Sequence, residues 1–251
     1  MTHALTYFLV CLVPAVLWLW WIRRQDVYEP EPVGLMLKTF AAGMGAAIVA
    51  VAAEGALIRL LLPGPEGFRF VVSQGTLAEV AVYSFLIIAP IEEALKFLVV
   101  RLGAFRSPEF NEPMDGIVYM VSAAIGFATL ENARYMLGFG AGVLVLRMVL
   151  SSFLHVACSA IVGYYLGLVR FKARLTRSLY VKGLGAAILL HGAYDFVALY
   201  QPAAGLLALC ALMTLLYFLR ERFLGEIQKA LEHSPFKPRR SLLRKRERPA
   251  G

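Results

Sequence analysis

Residues 90–97, PIEEALKF, place two adjacent glutamates and a lysine inside a largely apolar run at 77–101. Roughly 20 apolar residues cross about 30 Å of hydrocarbon, so this stretch reads as a membrane helix carrying charge at depth. The rest of the chain agrees with that reading. Of its 251 residues, 59% are hydrophobic and 17% charged, too apolar for a soluble domain of ordinary usage.

The same criterion yields seven spans, at 4–22, 35–62, 77–101, 115–137, 143–169, 183–200 and 203–219. Only helices fit runs of this length. The expected fold is an all-α integral membrane protein with seven transmembrane helices in one bundle. No basic stretch precedes the first run and Arg23 and Arg24 follow it, which predicts a retained helix rather than a removed signal peptide. Lys and Arg favour cytoplasmic loops. They gather after the first, third and fifth spans and in the last 32 residues, whereas the opposite side carries little beyond Arg69. The amino terminus is therefore expected outside and the carboxyl terminus in the cytoplasm.

The formal charge of +8 is explained by this topology, and no nucleic-acid partner is expected. Cys11, Cys158 and Cys210 lie at no metal-ligand or disulfide spacing. Residues 1–219 read as one membrane domain. Residues 220–251 read as a basic cytoplasmic tail, a short amphipathic helix with Phe223, Ile227 and Leu231 on one stripe followed by a mostly disordered segment. Such a tail is compatible with binding anionic lipid.

Charges at bilayer depth are costly and mark function. They are Glu54 and Arg59 in the second span, Glu92, Glu93 and Lys96 in the third, Glu131 and Arg134 in the fourth, His155 in the fifth, and His191 and Asp195 in the sixth; Glu79 and Arg147 lie near span ends. Glu92 and Lys96 are i and i+4, Glu93 and Lys96 i and i+3. A lysine can fully neutralise one glutamate, which leaves two readings: a buried ion pair with a protonated spare carboxyl, or a second carboxylate poised as a base toward water. His155 has Ser151 and Ser159 four residues to either side and reads as a packing histidine or a site residue. Asp195, at i+4 from His191, is expected to hold one ring nitrogen and fix the tautomer.

At 1.5 Å per residue, Glu92 lies about 22 Å and His155 about 18 Å from the outer ends of their spans, with His191 near the same level and Glu131 only about 6 Å deep. Glu131 thus fits poorly unless its helix starts late or bends near Gly126. Gly163–Gly167 forms a GxxxG pattern that favours close helix approach.

EEALK at 92–96, ENARY at 131–135, FLHVACS around His155 and HGAYD at 191–195, with EPEP at 29–32 before Leu35 and Phe40, resemble the PrsW family of intramembrane proteases, which is related to the CAAX prenyl endopeptidases. The resemblance covers about residues 20–200 and implies a multi-pass endopeptidase of the bacterial inner membrane. The implied substrate is a membrane-embedded protein, of which an anti-sigma factor-like regulator is one type. By matching motif positions, it implies Glu92, Glu93, His155 and His191 as catalytic, with Lys96, Glu131, Asn132, Tyr135 and Asp195 supporting.

The expected chemistry is peptide hydrolysis by an activated water. Glu92, sharing the task with Glu93, takes the proton; His155 and His191 stabilise the oxyanion or hold a metal. Two histidines and a glutamate suit zinc, but there is no HExxH, and a mechanism with no obligatory metal is slightly favoured. The alternatives are a proton- or ion-coupled transporter, against which stands the lack of an inverted repeat, and a noncatalytic membrane binding protein. The substrate, the scissile bond and the oligomeric state are not legible.

Overall fold

A backbone in hydrocarbon has only itself to bond with, and the long elements of the computed structural model are accordingly helices. It describes residues 2–61, 75–140, 142, 147–171, 176–199 and 205–238. Seven helices run through these residues: α1 (Thr2–Gln25), α2 (Val33–Leu61), α3 (77–102), α4 (Pro113–Phe139), α5 (147–171), α6 (Thr176–Leu199) and α7 (Gly205–Glu232). Each matches one of the expected spans. Four of them, over Leu5–Gln25, Val33–Leu61, Pro113–Gly138 and Met148–Arg170, are long and apolar enough to cross a membrane. α3 carries the ionisable cluster and a wide turn, α6 holds Lys182 and Asp195, and charge enters α7 at Arg220.

α4 and α5 form the centre. In their most apolar stretches 94% and 89% of residues are buried, against 17% for α1 and 33% for α2. α4 packs on α5, α2 and α1, while α6 and α7 close the far side of α5. The outward faces are apolar: Leu9, Val13, Val16 and Trp20 on α1, and Leu37, Ile48 and Val49 on α2 are all exposed. Water would oppose such a surface and hydrocarbon does not.

Glycine permits the central approach. A Cβ on Gly163 would run into the backbone of Gly116, and one on Gly167 into that of Pro113. The GxxxG pattern is therefore the seam between α5 and α4, where only backbone and small residues fit. Gly126 causes no bend; α4 is continuous through it, and its bare Cα lies against the backbone of Phe40 on α2.

α3 is helical over Leu77–Val82 and Ala89–Leu102, with a π turn over Tyr83–Ile88 between them. Thr76 and Glu79 cap its start reciprocally. Pro90 follows the wide turn at once. Proline has no N–H to give and crowds the carbonyl four residues back, and the Ala89 amide reaches back to the Ser84 carbonyl instead.

α7 runs unbroken through residues 219 and 220, and Phe223 and Ile227 are buried. The stripe expected of a separate tail helix thus packs on the bundle: Phe223 lies 5.5 Å from Trp21 and 6.4 Å from Phe153, between ring centroids. The basic segment from residue 239 lies outside the described residues.

The connection between α1 and α2 folds against the start of α4. Arg23 Nε donates to the Glu31 carbonyl at 2.8 Å, and the Tyr119 hydroxyl donates to the Glu31 carboxylate. At the start of α4, Asp115 Oδ2 accepts from the amides of Asn111 (2.5 Å) and Glu112 (2.7 Å). Burial, with Glu112 beside it, pushes the Asp26 carboxyl up to about 8. Burial beside Asp115 pushes Glu31 up to about 10.

Candidate active site

Helical spacing on α3 sends Glu92, Glu93 and Lys96 to one face, and that face meets α4, α5 and α6. Lys96 is fully buried. Its Nζ lies 2.9 Å from Glu93 Oε1, 3.2 Å from Glu92 Oε2 and 2.8 Å from His155 Nδ1. An ammonium has three N–H bonds, so this one can serve all three partners. The ring of Phe127 covers it at 4.5 Å. The lysine thus bridges both glutamates, as their i+4 and i+3 spacing allows, and a histidine on α5 as well.

With Nδ1 accepting from Lys96, His155 carries its proton on Nε2, which donates to Glu131 Oε2 at 2.8 Å. His191 is held the other way round. Its Nδ1 donates to Glu93 Oε1 at 2.8 Å, which leaves Nε2 turned toward Glu92 Oε2 at 3.8 Å and Asp195 Oδ2 at 3.4 Å. The two rings meet edge to face, 5.0 Å between centroids.

Two expectations change here. Glu93, not Asp195, makes the short contact that fixes the His191 tautomer, because a carboxylate on the neighbouring helix comes closer than the one a turn along the same helix. Glu131, expected to lie too shallow, meets His155 directly; α4 continues to Phe139 rather than 137 and α3 contains a π turn, so depths counted on regular, equal spans misplace it.

A cavity of about 730 Å³ opens over the group. Glu92, Glu131, Tyr135, His155, His191 and Asp195 line it, and Glu93 and Lys96 do not. Asn132 stands behind the wall, donating from Nδ2 to Ser152 Oγ at 3.0 Å. Glu54, buried on α2, Tyr83 and Arg134 also face the cavity, although sequence reasoning did not place them in the site. For Glu54 and Arg134 the signal was there, an ionisable residue inside an apolar run; what was missing was the rotation of each helix. Arg59 is exposed instead.

A family model described as PrsW family intramembrane metalloprotease matches residues 31–219. The chain belongs to the PrsW family of intramembrane proteases. Proteins named Protease PrsW are similar to it over most of both chains. That of Geobacillus kaustophilus is 32% identical over 77% of this chain and 80% of its own. The Clostridioides difficile protein is 28% identical over 92% and 93%, and the Bacillus subtilis protein 32% identical over 74% and 79%. No solved structure matches the chain. Glu92, His155 and His191 come together in one buried group within the matched segment.

The PrsW family description names a metal, and the donors fit one. One atom each of Glu92, His155 and His191 lies within 4.8 Å of the others, and Glu92 Oε2 is 3.8 Å from both His155 Nδ1 and His191 Nε2. Ligands 2.0–2.2 Å from a tetrahedral zinc stand roughly 3.5 Å apart. His155 Nδ1 is also the atom that Lys96 meets at 2.8 Å, so a cation held there competes with the ammonium.

Proposed function

We propose that this PrsW-family protease hydrolyses a peptide bond of a membrane-embedded protein, with Glu92 as the general base toward water and His191 as the oxyanion stabiliser and proton relay. The observation that carries this is the division of labour between adjacent glutamates: Glu92 faces the cavity, whereas Glu93 is fully buried and engaged by Lys96 and His191. Lys96 holds the Glu92 carboxylate in place, and Glu92 takes the proton of a water that attacks the scissile carbonyl. His191 Nε2, 3.8 Å away, can accept that proton. The resulting imidazolium, flanked by Glu93 and Asp195, faces the developing oxyanion and then gives its proton to the departing amine. His155, fixed between Lys96 and Glu131, holds the opposite wall. If a metal is bound, Glu92, His155 and His191 would hold it, and it would supply a polarised water. An anti-sigma factor-like regulator is one kind of membrane-embedded substrate that the family resemblance implies.

The test is cleavage of a panel of membrane proteins by the parent and by Glu92→Gln, with products mapped by mass spectrometry. General-base loss is expected to slow cleavage by about 10²–10⁴-fold while thermal unfolding in detergent stays close to that of the parent. Undiminished cleavage by the folded variant removes Glu92 from the role.

A further inference from the structure

A second group of carboxylates lies at the other end of α4, about 24 Å along the helix from Glu131 at 1.5 Å per residue over the turns from Asp115. Asp26 and Glu31 come from the α1–α2 connection, and Glu112 and Asp115 from the start of α4. All four are buried, Asp26 at 1% exposure and Glu112 at 0%. One oxygen each of Asp26, Glu31 and Asp115 lies within 4.8 Å of the others. Among the described residues no donor meets either carboxylate oxygen of Asp26 or Oδ1 of Asp115 in hydrogen-bonding geometry. The nearby guanidinium of Arg23 spends its Nε on the Glu31 carbonyl, and none of the four carboxylates has a basic side chain paired with it among those residues.

Acids crowded together out of water repel one another, and their unmade hydrogen bonds cost more still. A protein keeps such a group where something completes it. Two oxygens on one calcium ion, each at 2.3–2.6 Å, stand at most about 5 Å apart, a limit that the three oxygens already satisfy. Every donor is an oxygen, which suits hard cations and not zinc or copper. Asp115 and Glu31 are also oriented from behind, by two amides and by the Tyr119 hydroxyl, as ligating carboxylates are.

We propose that Asp26, Glu31 and Asp115, with Glu112 beside them, bind a hard divalent cation, Ca²⁺ or Mg²⁺, and that the ion clamps the α1–α2 connection onto the start of α4.

The probe is Mn²⁺, followed by electron paramagnetic resonance on the chelator-treated full chain in detergent. One Mn²⁺ per chain is expected on this site, displaced by Ca²⁺ or by Mg²⁺; the tighter competitor identifies the native ion. Asp26→Asn and, separately, Asp115→Asn should weaken it at least tenfold. An asparagine in the latter place keeps an oxygen for the two amides, so Asp115→Asn is expected to fold. Glu92→Gln and His191→Gln, which disable the catalytic group, should leave this binding unchanged, so it stands or falls apart from the protease mechanism. The same Ca²⁺ or Mg²⁺ should raise the unfolding midpoint of the parent and not of Asp26→Asn. No Mn²⁺ bound by the folded parent, or binding indifferent to both substitutions, overturns the proposal.

Discussion

At the scale of single residues, the site is a chain of fixed contacts that begins at Lys96. The charges were legible because ionisable residues are few in the apolar runs: EE and K in the third, E and R in the fourth, H in the fifth, H and D in the sixth. Their pairing was not legible, since i+4 spacing reports only neighbours on the same helix. Asp195 therefore looked like the partner of His191, while Glu93 Oε1, from another helix, holds Nδ1 at 2.8 Å and Asp195 stays 3.4 Å from Nε2. The two roles separate by mutation. Glu93→Gln is expected to lower kcat by about 10–100-fold, the usual effect of losing a group that orients a reactive side chain. Asp195→Asn should cost less than about tenfold. Equal losses from both, measured as kcat on one cleaved reporter, would return Asp195 to the orienting role.

At the scale of elements, glycine decides how near the helices come. The α4–α5 seam rests on Gly116, Gly163 and Gly167, whose absent side chains let backbone meet backbone. Gly163→Leu should force these helices apart, lowering stability by about 1–3 kcal/mol as overpacking does, and should cut cleavage by up to about 100-fold, because His155 lies two turns away and a 1 Å displacement of a reactive group costs that much. Gly45→Ala on α2 meets nothing within 4 Å; it should leave the cleavage rate unchanged and, replacing a glycine inside a helix, raise stability by up to about 1 kcal/mol. The helices and the GxxxG seam were legible from period and composition. The π turn was not, because a wide turn leaves no mark in hydropathy; Pro90 was its one available sign. The carboxylate cluster was missed for a similar reason. Asp26, Glu31, Glu112 and Asp115 stand in or beside charged connections, where acids are ordinarily solvated, and only packing shows that these are buried.

At the scale of the whole molecule, seven helices and an asymmetric distribution of basic residues predict that the two ends lie on opposite sides of the membrane. A fluorescent protein fused after Gly251 should fluoresce in cells, and alkaline phosphatase fused there should stay inactive; the reverse result would invert the topology. The reactive group draws on α3, α4, α5 and α6, so the protease exists only when these four helices are assembled, and the apolar shell of α1 and α2 holds them in the bilayer. The wide turn of α3 has a genetic corollary. A π turn takes up one more residue than the helix around it needs, and each residue of an α-helix advances about 100°. Deleting a single codon between Tyr83 and Ile88 would therefore remove the residue that the wide turn absorbs and yield an uninterrupted α-helix, still apolar and still able to insert, whose paired acids keep their bearing toward both imidazoles.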